Sequence, residues 1–358
     1  MMSFTTRRVL VVTPFYMLFE FFLLKYIFLL LGGVEDIYLV ALTIFIGLIH
    51  CAPMFFEVHK SRKITRFLSA LDGVWMWASV LFLIDIVIVY LIGTFVELSF
   101  GVNLIFLAIV PILGVYNYYK ANKLVVNEKT ITLDNLEEDI NIAHLSDIHF
   151  GAVHHDKTIE SIASKLKELE GTCELAIISG DFADGSSIVE ENDFMALKNV
   201  NMPIVFTPGN HDHYLKIEDV IQASKKAGLI VLDNDSFEFK NLNIYGLTYS
   251  FEEIEMPSAD EIKMAVRKDK VNIMNYHVPY NWEEFSAMGF DIQLSGHTHG
   301  GQFYPVVWFG NIIFKYNKGL FKNDFGKYIH VTTGIGSMNV PMRWGTDSEI
   351  VVLKLKSN

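Results

Sequence analysis

The sequence predicts two joined parts of different class: an all-α, four-helix transmembrane region, then an α/β domain. Three observations lead there. The 358-residue chain is 51% hydrophobic and only 20% charged, with 28 phenylalanines, too apolar for a disordered chain or an ordinary soluble enzyme. The imbalance is local. Residues 1–120 carry 8 Lys/Arg and 7 Asp/Glu, whereas residues 121–358 carry 21 and 34, a net of −13. From residue 140 onward, short apolar runs alternate with amphipathic stretches, as strands and helices do in an α/β sheet domain. The division falls at residue 121, giving domains 1–121 and 122–358.

A membrane-spanning helix needs about 20 mostly apolar residues. Four runs qualify: Val9 to Leu31, Ile37 to Phe56, Val74 to Ile92 and Phe100 to Tyr119. They are apolar all round, unlike the one-sided helices of a soluble core. Arg7 and Arg8, then Lys60, Arg62, Lys63 and Arg66, then Lys120 and Lys123 flank alternate span ends, while the other connections carry Glu35, Asp36 and Glu97. The positive-inside rule then puts both the N-terminus and the acidic domain on the cytoplasmic face of the cell membrane, in a multi-pass protein. Thr6-Arg7-Arg8 loosely resembles a twin-arginine export signal, but the run behind it is too long and lacks a cleavage site. Within the spans, Glu20, Lys25 and Asp85 need partners. An interhelical Asp85–Lys25 pair is expected, with a polar or headgroup-binding site as the alternative. Tyr38, Tyr90, Tyr116, Tyr118 and Tyr119 read as interfacial anchors, as do Trp75 and Trp77. The few residues from Tyr119 to Leu124 reach on the order of 15 Å, which keeps the second domain at the bilayer surface.

In the acidic domain, five apolar runs end in groups able to hold a metal. Ile140 to Ser146 leads to Asp147 and His149; Glu174 to Ser179 leads to Asp181; Pro203 to Pro208 leads to Asn210, His211 and Asp212. Val271 to Tyr276 leads to His277, and Asp291 to Ser295 leads to His297 and His299. Helical stretches lie at about Asp156 to Glu170, Ile217 to Ala227 and Ala259 to Lys268. Ligands of such sheets gather beyond the carboxyl ends of the strands. The donors are oxygen and imidazole, which suit Mn, Fe, Zn or Co without choosing among them. The two cysteines, Cys51 and Cys173, lie far apart and form neither a disulfide framework nor a thiolate cage. Seven ligands exceed what one open catalytic metal takes and suit two ions sharing a carboxylate, an arrangement that hydrolyses bonds at phosphorus.

These blocks, Asp147-Ile148-His149, Gly180-Asp181-Phe182-Ala183-Asp184, Gly209-Asn210-His211-Asp212, His277 and Gly296-His297-Thr298-His299, resemble in order the five motifs of the calcineurin-like metallophosphoesterases. The resemblance covers about residues 138 to 356. The stretch from Ser295 to Gln302, with Val340-Pro341-Met342-Arg343, is similar to the membrane-associated phosphodiesterase branch. It implies a four-layer α/β/β/α sandwich of two mixed sheets and two divalent ions. Asp147, His149 and His299 would hold the first ion, Asn210, His277 and His297 the second, and Asp181 would bridge them. His211 would face the scissile phosphate and protonate the leaving oxygen, with Asp212 beside it in the catalytic machinery. Asp212 and Asp184 would orient His211 and its loops.

Other residues are read more plainly. His144 is expected to be structural, and His154 and His155 to lie on a solvated loop. Arg343 and His213 are candidates for substrate contact, Arg343 by a bidentate hold on phosphate. Phe303 to Phe321 is expected to form two strands around Gly310-Asn311, or else an apolar rim that meets lipid. The expected function is a membrane-anchored, metal-dependent phosphoesterase, phosphodiesterase-like, acting on a phosphodiester or pyrophosphate, with a lipid-linked substrate favoured by the tether and the rim. The alternatives are hydrolysis of a soluble nucleotide or small phosphodiester, and a membrane receptor or transport protein with the metal domain as sensor. The acidic balance argues against nucleic acid as a partner.

Overall fold

The computed structural model describes residues 4–56, 61–248 and 256–358, with side chains from residue 11 on. Lys60, one of the cations used above for orientation, lies outside the described residues. The chain divides into two compact units, residues 1–119 with 339–342, and residues 120–338 with 343–358.

The first unit holds helices α1 (Phe4–Leu30), α2 (Asp36–Phe56), α3 (Lys63–Gly93) and α4 (Phe100–Ala121). All four are long and apolar enough to cross a membrane. Large apolar side chains such as Phe15, Leu29, Ile44, Leu48, Ile105 and Ile112 are exposed, an inside-out surface that suits lipid rather than water. Helix α3 starts at Lys63, well before the apolar run at Val74, so most of the expected connecting loop is helix. Two of the buried ionisable groups are paired inside. Glu20, fully buried, accepts from Trp75 Nε1 and Ser79 Oγ, both at 2.9 Å. His50 faces Asp72 at 2.9 Å. The expected Lys25–Asp85 pair is absent: Lys25 reaches Asp36 at 3.0 Å instead, and Asp85 Oδ2 is buried without a hydrogen bond. Trp75 and Trp77 are not interfacial anchors either. One is bonded to Glu20 and the other is buried in the bundle.

The second unit contains strands β1 (Leu124–Leu133), β2 (Ile140–Leu145), β3 (Leu175–Ser179), β4 (Ile204–Thr207), β5 (Ile230–Val231), β6 (Asp235–Phe239), β7 (Leu242–Leu247), β8 (Val271–Tyr276), β9 (Ile292–Ser295), β10 (Gly319–Lys322), β11 (Tyr328–Val331) and β12 (Ser348–Ser357). Its helices are α5 (Asp156–Glu168), α6 (Ile217–Lys226), α7 (Ala259–Met264), α8 (Trp282–Met288) and α9 (Val306–Ile313). The strands form two six-stranded mixed sheets, ordered β1-β12-β2-β3-β4-β5 and β10-β11-β9-β8-β7-β6.

Alternation along each strand builds the layers. Ile140 and Ile142 of β2, Leu175 and Ile177 of β3 and Val205 of β4 meet Ile244, Val271, Ile273, Ile292 and Leu294 of the other sheet. Their neighbours Leu145, Ile178 and Phe206 turn outward against Ile159, Ile162 and Leu166 of α5 and Val220 of α6. On the far side, Tyr245, Met274 and Tyr276 meet Ile262 of α7 and Trp282 and Phe285 of α8. The result is the four-layer α/β/β/α sandwich. Strands β2, β3 and β4 run parallel, as do β8 and β9, so their carboxyl ends collect at one rim. Asn275, next to the end of β8, accepts from Ser179 Oγ on β3 and donates to Thr207 Oγ1 on β4 (2.8 Å). That buried network locks the two sheets together beneath the rim.

Candidate metal centre

The turns that leave these strands are too tight for ordinary backbone. Asp147, His149, Asp181, His297 and His299 all have positive φ, between 49° and 70°. Non-glycine residues are held in this sparsely populated region at a cost of about 1–3 kcal/mol each and cluster at functional sites. Glycines let the turns close: a Cβ at Gly180 would lie 2.6 Å from His277 Nδ1, and one at Gly296 would collide with Ser146 and the Asp147 carboxylate.

Three groups of ligand-type atoms result, each with its atoms within 4.8 Å of one another: Asp147, His149 and His299; His149, Asp181 and His211; Asp181, His277 and His297. The groups share members, so they form one continuous cluster. Asp181 Oδ2 lies 3.0 Å from His277 Nε2 and 3.9 Å from His149 Nε2. Asp181 Oδ1 is taken by the His211 backbone N–H at 2.9 Å. On one side, His149 Nε2 and His299 Nε2 approach to 3.0 Å, with Asp147 Oδ1 3.3 Å from His299. The His297 amide donates to both Asp147 oxygens, at 3.1 and 3.0 Å. On the other side, Asn210 donates its amide N–H to Tyr214 Oη (3.2 Å), which turns its oxygen to His297 Nδ1 at 3.2 Å.

The donor set fits divalent cations. His277 Nδ1 donates to the Ser179 carbonyl at 2.7 Å, which fixes the tautomer and leaves the Nε2 lone pair facing Asp181. That Nε2 is buried, 3.0 Å from a carboxylate oxygen, yet makes no aligned hydrogen bond. Two acceptors converging so closely call for positive charge between them. Burial alone would lower the His277 pKa, but the Asp181 carboxylate lifts it to about 9. Asp181 is held well below the usual carboxylate range: burial works to raise it, and His277 and the other imidazoles override burial. Burial, with His277 alongside, pushes His297 down to about 4.

His211 donates Nδ1–H to the Asp184 carbonyl (3.1 Å), and its ring meets that of His149 edge-on at 4.9 Å between centroids. Asp184 itself accepts from Ser186 N and Oγ, both at 2.7 Å, and burial pushes it up to about 6. It thus acts on His211 through its backbone. Asp212 differs from expectation. Its oxygens accept the backbone N–H groups of Ala183 and Gly209, both at 2.8 Å, rather than bonding the His211 ring. It staples together the loops that carry Asp181 and Asn210. Burial, reinforced by Asp181, pushes its pKa up to about 7.

Arg343 also corrects the sequence reading. It is fully buried and donates to the carbonyls of Thr333 (2.8 Å), Gly334 (3.1 Å), Gly336 (2.5 Å) and Asp347 (2.6 Å). It clamps the loop whose amides at Ile335 and Gly336 bond the Ser146 and Asp147 carbonyls, so both of its terminal nitrogens are spent on the protein's own backbone. His213 sits half-buried at the end of the short turn His211–His213, outside the three groups. His154 is not on a solvated loop. It is buried, with Nε2 2.7 Å from Ser337 Oγ. His155 packs on Phe150 and pairs with Asp156 at 2.8 Å. His144 is buried between His330 and Ser179, each at 2.8 Å. Tyr214, ring to ring with His211 at 4.4 Å, follows the Asn210-His211-Asp212 block but carries no ligand-type group, so its residue type does not mark it in the sequence.

The family model for calcineurin-like phosphoesterases matches residues 140–301, the stretch that carries every one of these ligand-type residues. Residues 140–301 are thus similar to the calcineurin-like phosphoesterases. An uncharacterized metallophosphoesterase of Helicobacter pylori is 28% identical over 236 residues, 64% of this chain and 63% of that protein. A metallophosphoesterase of Aquifex aeolicus is 28% identical over 260 residues, 69% of this chain and 98% of its own. A transmembrane protein with metallophosphoesterase domain from Danio rerio is 25% identical over 278 residues, 71% of this chain and 62% of its own. The chain therefore spans just under two thirds of the length of the Helicobacter and Danio relatives.

Proposed function

We propose that this chain is a membrane-anchored, metal-dependent phosphoesterase that hydrolyses a phosphodiester or pyrophosphate bond at the cytoplasmic face of the cell membrane. The observation that carries it is the shared carboxylate: Asp181 Oδ2 stands between His149 and His277, and so joins two halves of one ligand cluster. In this reading Asp147, His149 and His299 would hold one ion, Asn210, His277 and His297 would hold the other, and the Asp181 carboxylate would be available to both. A pair of divalent ions bound there would supply Lewis acidity and a low-pKa water for attack at phosphorus. Manganese is the first ion to try.

The chain's own residues do the rest. The Nδ1–H bond from His211 to the Asp184 carbonyl leaves Nε2 as the working nitrogen. Burial lowers the His211 pKa and the Asp181 carboxylate opposes that, so an anionic phosphoryl group arriving at Nε2 would favour the imidazolium, whose Nε2–H would hold a phosphoryl oxygen and pass that second proton to the leaving oxygen. Asp212 keeps the Asp181 and Asn210 loops in register, and Arg343 does the same for the Asp147 loop. The cytoplasmic placement rests on the cations at alternate span ends. A lipid-linked substrate is favoured by the short link between α4, which ends at Ala121, and β1, which starts at Leu124.

The test is hydrolysis by the full-length protein in detergent, loaded with Mn2+, of bis-p-nitrophenyl phosphate, p-nitrophenyl phosphate and a phospholipid diester. Cleavage of diesters, abolished by chelation, is the expected result. Fully metal-loaded protein that cleaves none of them contradicts the proposal, and equal rates on lipid and soluble diesters contradict its lipid part.

A further inference from the structure

Helix α9 (Val306–Ile313) was expected from sequence to be strand, and as a helix it is built the wrong way round for water. It carries no charged side chain. Its buried positions are the small or modest Val307 and Gly310, while Val306, Trp308, Phe309, Ile312 and Ile313 point outward, 43% to 80% exposed. The other surface helices of the domain show the normal pattern. On α5, Ile159, Ile162 and Leu166 are buried and Lys157, Glu160 and Lys167 are exposed. The outward face of α9 leaves on the order of 500 Å2 of apolar surface uncovered, a size at which a patch marks an interaction site.

We infer that α9 lies in the headgroup boundary of a phospholipid bilayer and extends the rim of the metal centre into lipid. Three observations select this occupant. Only Asn122 and Lys123 separate α4, an apolar helix long enough to cross a membrane, from β1, so a bilayer is always within reach of this domain. The composition of the face, one Trp, one Phe and β-branched aliphatics, is that of interfacial helices. The patch also continues into the site. Phe314, which caps α9, lies 6.0 Å from the His297 ring and stacks on Tyr280 at 6.2 Å. An acyl chain leaving a phosphate held near His297 would meet Phe314 first and α9 next. The placement of α9 stands on its own; its use in presenting a lipid phosphate rests on the reaction proposed above.

The test uses the full-length chain in nanodiscs of phosphatidylcholine and phosphatidylglycerol, with Cys51→Ser and Cys173→Ala removing the native thiols. A nitroxide is attached at Ile312→Cys or, for comparison, at Phe325→Cys, another exposed position. If α9 is immersed, the ratio of collisions with oxygen to collisions with a water-soluble nickel chelate is about tenfold higher at 312 than at 325. Equal ratios overturn the inference. So does shielding of 312 from both reagents, which would mean a second copy or another protein covers the face. In parallel, Trp308→Glu with Ile312→Glu should hydrolyse bis-p-nitrophenyl phosphate within about twofold of the parent, since a soluble diester needs no lipid contact. A tenfold or greater loss would make α9 part of the site's own scaffold and overturn the inference. An inactive parent with an immersed label would refute the reaction and leave the placement of α9 standing.

Discussion

Replacing Arg343 by methionine keeps much of the side chain's bulk and removes one clamp. The guanidinium now satisfies four backbone carbonyls and approaches Thr346 Oγ1 at 3.3 Å in a site closed to solvent. Hydrogen bonds from a charged donor contribute about 1.5–3 kcal/mol each, but they are not additive. Breaking a buried charged network by removing one partner costs about 3–5 kcal/mol in all. At roughly 2–4 °C per kcal/mol for a domain of this size, the midpoint of unfolding should fall by about 10 °C. The loss also reaches the metal centre, because the clamped loop holds the Asp147 carbonyl through the Gly336 amide at 2.7 Å. Arg343→Met should therefore need more Mn2+ for half-maximal activity. Arg343→Lys, a point charge without the planar fork, should recover less than half of the lost stability. The assay is thermal unfolding of full-length protein by tryptophan fluorescence, with a Mn2+ titration of diester hydrolysis. An unchanged midpoint with KM alone raised would refute the reasoning and return Arg343 to the substrate.

Further outcomes test the rest of the site. His211→Ala should lower kcat by about 10²–10⁴ while leaving metal content intact; parallel loss of an ion would make His211 a ligand instead. Gly209→Ala drives a Cβ into the Asp181 carboxylate and to 2.5 Å from its amide nitrogen; metal content and activity should both fall, and an active variant would show that the loop relaxes. The third outcome concerns His144 and His330, buried with their Nδ1 atoms 2.8 Å apart. Burial pushes His330 down to about 4 and His144 well below its usual range. Unfolded, both titrate near 6.5, so the unfolded state takes up more protons between these values. Stability is complete above about pH 6.5 and falls as pH drops towards 4, with a slope of up to about 1.4 kcal/mol per pH unit for each histidine. His330→Asn should remove about one histidine's worth of that slope in denaturant titrations between pH 7 and pH 5, and an unchanged slope contradicts the assignment.

Much of the fold and of the candidate site was legible because both are written locally. Each run of buried β-branched residues ends in its own ligand-type group, and the length of the apolar runs marks the helices of the first unit. What was missed depends on partners distant in sequence or on direction. Arg343 looks like a phosphate grip until the loop at residues 333–336 is seen wrapped around it. Asp212 follows His211 in sequence, but its carboxylate points back to the Ala183 and Gly209 amides. His154 looks solvent-exposed until Ser337 covers it from the other end of the domain. The sequence of helix α9 resembles strand because Val-Val-Trp-Phe and Ile-Ile, split by Gly310, show no helical period: the helix is apolar on its outer face as well. Lys63 and Arg66 interrupt hydropathy without interrupting the helix, so α3 begins 11 residues before the apolar run at Val74.

The shared carboxylate is tested most directly by counting ions. Full-length protein dialysed against Mn2+ and freed of excess should carry two ions per chain by elemental mass spectrometry. Asp181→Asn, which keeps the shape and the His211 amide contact but removes the charge between His149 and His277, should carry one or none and lose diester hydrolysis. Two ions retained by Asp181→Asn, or a parent that never holds more than one, would contradict the account.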